Sequence, residues 1–186
     1  PRKKVCYDGE ILVPFAIESS LSGVQKVFLP TDKLWYQREF TVKPSWKGKQ
    51  IILHFGAVDY ECNVWVNGKM VGAHKGGNNS FSFDITKYLK GNGKQTLELS
   101  VIDPTDEESV SRGKQQLNQK GIWYTPVSGI WKTVWVEAVN KEHIRQILPE
   151  ADIHAGKVAL KIDAVVGDAR TLRIKVLDGK NVVKEI

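Results

Sequence analysis

The chain has 186 residues, a formal net charge of +6, 41% hydrophobic residues and 26% charged ones. That composition excludes a disordered or fibrous polymer and leaves room for one large domain or about one and a half ordinary ones. No apolar run approaches the ~18 residues of a membrane-spanning helix, and the basic residues are dispersed rather than gathered into a phosphate-tracking stripe, which argues against nucleic-acid binding.

The sequence opens Pro1-Arg2-Lys3-Lys4, with no initiator Met and no apolar leader, so the expectation is a removed N-terminus. Cys6 and Cys62 are a possible disulfide, but spacing alone does not show whether their Cα atoms lie within the ~4–7 Å required. Cys62 sits in an alternating pattern and reads as a buried free thiol. The histidines, His54, His74, His143 and His154, are scattered without metal-ligand spacing, so neither a metal nor a cofactor is expected.

Period-two alternation then dominates, the mark of half-buried strands. Leu34 to Val42 puts Tyr36, Arg38, Phe40 and Val42 on one face, and Gln50 to Gly56 follows as a second strand. In Cys62 to Val66, Cys62, Val64 and Val66 share a face, while Asn63 and Trp65 share the other. Asn67-Gly68 comes next and predicts a two-residue hairpin turn, because both positions readily take φ > 0. Ser80 to Ile85 points Phe81, Phe83 and Ile85 one way. Thr86 to Leu89 reads as one helical turn closed by Gly91 or Gly93. Thr96 to Ile102 and Ile130 to Ala138 complete the set. The expected core is Val64, Val66, Phe81, Phe83, Leu97, Leu99, Val101, Val134 and Val136, with Phe83→Ala destabilising by ~3–5 kcal/mol.

Asp103 to Ser128 shows little periodicity. Connections longer than ~12–15 residues tend to be functional or disordered. Asp103, Asp106, Glu107 and Glu108 in it read as solvated turn acids. The stretch ends in Gly121-Ile-Trp-Tyr-Thr-Pro-Val-Ser-Gly-Ile-Trp131, which brackets a short spacer with two Gly-Ile-Trp triplets. After Asn140 the pattern resets. Lys141 to Pro149 reads as a connector, and Lys157 to Val166 and Thr171 to Lys180 as two further strands. The expected division is a domain over 1–140 and the first strands of a truncated second one over 141–186.

Phe55 to Lys90 resembles the N-terminal sugar-binding domain of family 2 glycoside hydrolases, the β-galactosidases, β-glucuronidases and β-mannosidases. The pieces occur in one order: Val13 to Ser19, the Leu34 to Val42 strand, Trp46-Lys-Gly-Lys49, the Val64 to Lys69 hairpin, Phe83 to Thr86, and Ser128 to Glu137. The resemblance implies an all-β fold: a galactose-binding-like jelly-roll sandwich, then an immunoglobulin-like sandwich. It further implies that a catalytic (β/α)8 barrel carries both glutamates of a retaining mechanism, so this fragment is expected to be inactive. In some family β-galactosidases an acidic residue just before the loop aromatic reaches the active site. Here Lys120-Gly121-Ile122 precedes Trp123, so that role is carried onto no position.

The resemblance implies that the long loop turns toward the barrel. Arg112, Lys114, Gln115, Trp123 and Tyr124 are then expected to form a surface for the barrel and the edge of a carbohydrate substrate. Lacking local apolar contacts, the loop is expected to be poorly ordered alone. Trp131 is expected to be framework, alternating with Thr133 and Trp135 in the closing strand; Trp123 folding back onto its own sandwich is the competing expectation. Two other functions are a free-standing carbohydrate-binding module, with Trp123 and Tyr124 stacking on a sugar, and a structural adhesion-type sandwich. The resemblance is compatible with a homo-oligomeric full-length enzyme and a periplasmic or secreted one; the chain assigns neither sugar nor compartment.

Overall fold

The computed structural model describes residues 6–91, 93–167 and 171–186, so the opening Pro1-Arg2-Lys3-Lys4 lies outside it. Two units divide the chain, Pro1–Ala138 and Val139–Ile186. The alternating segments of the first unit become β1 (Leu34–Val42), β2 (Gln50–Phe55), β3 (Val58–Asp59), β4 (Glu61–Val66), β5 (Lys69–Lys75), β6 (Phe81–Asp84), β7 (Gly93–Ile102), β8 (Gly129–Ile130) and β9 (Val134–Val139). One sheet has the order β1-β7-β4-β5, a second β6-β2-β9, and β3 pairs with β8. Among the described residues the only helical pieces are three short 3-10 turns, one of them the expected Thr86–Tyr88. The fold is an all-β sandwich of the jelly-roll type.

The turns form where the chemistry requires them. Asn67 and Gly68 have φ of 52° and 77°, so the β4–β5 hairpin closes as the dipeptide predicts. Asn67 also ties this turn to its neighbours, its Nδ2 donating to Tyr88 O and Gln95 Oε1 at 2.9 and 2.7 Å.

The two sheets face each other through one apolar cluster. Leu53 and Phe55 of β2 meet Cys62, Val64 and Val66 of β4 and Leu99 and Val101 of β7, all with at most 1% exposure. Each such aliphatic or aromatic side chain contributes roughly 1.5–3 kcal/mol on burial. Of the expected core, Val64, Val66, Leu99 and Val101 are fully buried, while Phe81, Phe83, Leu97, Val134 and Val136 pack against the cluster from its margin. Phe83 is half-buried, so the largest cost of truncation moves from Phe83 to Phe55. Cys6 is exposed and Cys62 buried, both free; burial pushes the Cys62 thiol up to about 12.

Two expectations are corrected. Ile130 to Ala138 is not one strand: β8 ends at Ile130 and β9 begins at Val134, so Trp131 leaves the alternation. Its indole Nε1 instead donates to Gly77 O at 2.8 Å.

In the second unit, β10 (His143–Asp152) pairs with β11 (Lys157–Val165), and β12 (Lys175–Asp178) with β13 (Asn181–Glu185). The expected connector over Lys141 to Pro149 is therefore mostly strand. A register shift between Ile144 and Gln146 breaks the period-two signal there and hides it. Ile147 lies opposite Ile162, Pro149 opposite Leu160 and Ala151 opposite Val158, which gives the ribbon one apolar face.

Candidate functional site

One end of the sandwich is polar inside. The two-residue strands β3 and β8 pair so that Asp59 lies opposite Gly129, with Ser128 immediately before it. Ser128 is fully buried and bonds twice. Its hydroxyl donates to Asp103 Oδ2 at 2.6 Å, and its backbone N–H donates to Glu18 Oε2 at 3.1 Å. Asp103 Oδ1 also accepts from Thr105 N at 2.8 Å, and Gln115 hydrogen-bonds Asp59 while its Oε1 accepts from Val127 N. Three carboxylates from distant parts of the sequence thus meet in one cluster, Asp59 and Asp103 buried and Glu18 half-buried. Asp103 is 3% exposed and Asp59 7%; the reading of Asp103 as a solvated turn acid is corrected.

Burial sets the electrostatics, because it disfavours a charged carboxylate. It raises Asp59 to about 7, and the neighbouring charges of Asp103 and Glu18 add to the rise against the opposing bond from Gln115. Burial likewise raises Glu18 and Asp103, while the bonds from Ser128 pull both back. Tyr36 closes the cluster from β1. Its hydroxyl accepts from Ile130 N at 3.2 Å, and burial pushes it above its ordinary value. Two glycines shape the walls: a Cβ at Gly77 would overlap the Asp59 carboxylate, and one at Gly129 would overlap the Tyr36 hydroxyl. Among the described residues no group of three or more His, Cys, Asp or Glu is arranged to hold a metal ion.

The long loop rises from this base and is tied by polar bonds rather than apolar contacts. Tyr124 N donates to Lys114 O at 3.0 Å, Gln116 N to Tyr124 O at 3.1 Å, and Lys114 N to the Tyr124 hydroxyl at 3.2 Å. Arg112 Nη1 donates to Glu108 O at 3.0 Å, and Leu117 N to Asp106 Oδ2 at 3.3 Å. Counting apolar contacts missed these polar ties. Of the sequence-derived surface, Lys114 and Tyr124 come together and are exposed, as is Trp123. Arg112 is half-buried, with a buried Nε lacking a hydrogen-bond partner. Gln115 turns inward, to Asp59 and Val127. The loop tip carries three adjacent exposed apolar groups, Ile122 at 68%, Trp123 at 38% and Tyr124 at 51%.

Sequence reasoning missed Glu18, Asp59 and Ser128. The available signal was the pair of glycines beside polar residues, Gly77 and Gly129, since small residues mark close backbone approach.

The fold and this polar end define an all-β jelly-roll sandwich domain with a long loop fastened at its base. The family described as "Glycosyl hydrolases family 2, sugar binding domain" matches residues 13–138. The chain belongs to that family. A β-galactosidase of Thermoanaerobacter pseudethanolicus is 35% identical over 115 residues, 61% of this chain and 14% of that protein. A solved β-glucuronidase of Bacteroides uniformis is 33% identical over 61% of this chain and 12% of its own, with a TM-score of 0.51. A β-glucuronidase from an uncultured Clostridium sp. covers 94% of this chain and 31% of its own at 25% identity, TM-score 0.66. The chain therefore spans a minor part of each of these relatives.

Proposed function

We propose that this chain is the non-catalytic N-terminal region of a retaining family 2 glycosidase of β-galactosidase or β-glucuronidase type. Its 103–128 loop presents Arg112, Lys114, Trp123 and Tyr124 to a catalytic barrel carried elsewhere on the parent polypeptide, and to the edge of the bound carbohydrate. Gln115 acts from within, as a tie between the loop and the carboxylate cluster. The observation that carries this reading is the contrast within the loop: its base is fastened in a buried polar cluster, while its tip exposes Ile122, Trp123 and Tyr124 side by side. Contiguous exposed apolar groups rimmed by polar ones mark an interaction surface.

In the same reading residues 141–186 open an immunoglobulin-like domain. Support comes from the two ribbons, whose apolar residues Ile147, Val158, Leu160 and Val182 are 38–62% exposed and call for a second layer. The exposed Trp123 and Tyr124 also suit a free-standing carbohydrate-binding module, in which they stack directly on a sugar.

The carboxylates of the cluster are tied to Ser128, Thr105 and Gln115, and in this reading both catalytic glutamates lie on the barrel. The chain alone is expected to hydrolyse no aryl β-galactoside, β-glucuronide or β-mannoside. Proton transfer by a positioned acid is worth about 10²–10⁴ in rate. Turnover by the purified chain that survives re-purification and disappears on mutation of its own residues would overturn the non-catalytic assignment.

A further inference from the structure

The return limb of the loop is fastened to the sandwich through carboxylates. Ser128 holds it to Asp103 and Glu18, and Gln115 holds Val127 on one side and Asp59 on the other. None of the ion pairs among the described residues includes Glu18, Asp59 or Asp103. Among the described residues no base on the flanking elements bonds to the cluster, and the buried Arg112 Nε has no hydrogen-bond partner. On β5, the His74 ring nitrogen Nε2 meets Gly76 O at 3.1 Å, and Lys75 pairs with Glu61 of β4. Past β8, the Lys132 ammonium lies over the Trp131 ring at 4.6 Å. Within the loop, Arg112 donates to Glu108 O, Lys114 is exposed, and Asp106 accepts from Leu117 N. On β1, the Tyr36 hydroxyl accepts from Ile130 N. Glu18 Oε1 is buried with no hydrogen-bond partner.

Buried carboxylates with no paired base repel one another when all are ionised, and each pays for desolvation as well. A proton removes one charge and turns an acceptor into a donor. We propose that Glu18, Asp59 and Asp103 form a proton-operated latch, which fastens the return limb of the loop when it holds a proton and loosens it when fully ionised. The device needs only this chain and stands whether or not the loop meets a barrel.

All three groups are raised by burial, Asp59 to about 7. A raised carboxyl binds its proton more tightly in the folded state than in the unfolded one. Its stabilisation is complete below the ordinary value, 3.8 for Asp59, and is lost as pH rises through about 7.

The test is hydrogen exchange of the amides of residues 115–129 in the whole chain at pH 5 and pH 8, corrected for intrinsic exchange, with β4 and β7 as internal references. Protection of the loop is expected to fall about tenfold or more between the two, the weight of one pKa unit. Asp59→Asn is expected to retain protection at pH 8, and His74→Asn to behave as the parent chain. Should Asp59→Asn not fold, Glu18→Gln and Asp103→Asn serve in its place, with the same flattening expected. Equal protection at both pH values, a fall that persists in the carboxyl variants, or a fall abolished by His74→Asn would overturn the latch.

Discussion

Gly129→Ala is expected to lower the melting temperature of the first unit by roughly 6–12 °C, the equivalent of about 3 kcal/mol or more in a chain of this size. Two effects add. Gly129 has φ of 82°, a conformation that disfavours an L side chain by about 1–2 kcal/mol. The new Cβ would also overlap the Tyr36 hydroxyl and stand 3.0 Å from Leu34 Cδ2. Tyr36 cannot withdraw without losing its bond from Ile130 N, the contact that holds β8 against β1. The outcome is read by calorimetry of the variant beside the parent chain. A Gly129→Ala protein that melts with the parent would show that β8 does not approach Tyr36 as described.

Phe55→Ala is expected to destabilise the sandwich by ~3–5 kcal/mol, as for other fully buried aromatics. Phe55 ends β2 with no exposed surface, and its ring stacks on Phe81 of β6 at 4.8 Å between centroids. The adjoining chain has no freedom to collapse into the gap, because Gly56 N donates to Thr133 O at 2.9 Å and fixes β2 to the approach of β9. Phe83→Ala is expected to destabilise less, since Phe83 is half-buried and its ring meets Phe81 edge-on. Denaturant midpoints of the two variants compare them directly. If Phe83→Ala proves the more damaging, the core has been placed on the wrong part of the second sheet.

The strands were legible because each obeys one local rule. Cys62, Val64 and Val66 alternate with Asn63 and Trp65, and the pair of sheets reproduces that alternation as inside and outside. Asn67-Gly68 announced its hairpin for the same reason, since a turn of that kind depends on two residues and not on the rest of the fold. The core list erred where burial depends on place in the sheet. Val134 and Val136 point inward, but β9 is an edge strand, and they stay half-buried. Leu53 and Phe55 of the central β2 are buried completely.

The carboxylate cluster was not legible. Glu18, Asp59 and Asp103 each sit beside turn-like sequence, and each read alone is a surface acid. Only the β3–β8 pairing, which sets Asp59 opposite Gly129 and brings Ser128 to Asp103, puts them together. Trp131 misled for the opposite reason. Its spacing from Thr133 and Trp135 fits one strand, but β8 ends at Ile130 and β9 begins only at Val134, with the Trp131 indole donating to Gly77 O between them.

The central proposal, that the loop tip meets a catalytic barrel, is tested most directly by Trp123→Ala in the full-length polypeptide, assayed as the proposed glycosidase. Trp123 is 38% exposed and next to Tyr124 at 51%, so truncation should leave the melting temperature within the small range of surface substitutions. The account predicts a lowered kcat/KM against the enzyme's best aryl glycoside, by about tenfold or more if the contact is worth ~1.4 kcal/mol in the transition state. Unchanged kcat/KM with a melting temperature several degrees lower would contradict it, placing Trp123 in the sandwich core and the functional surface elsewhere.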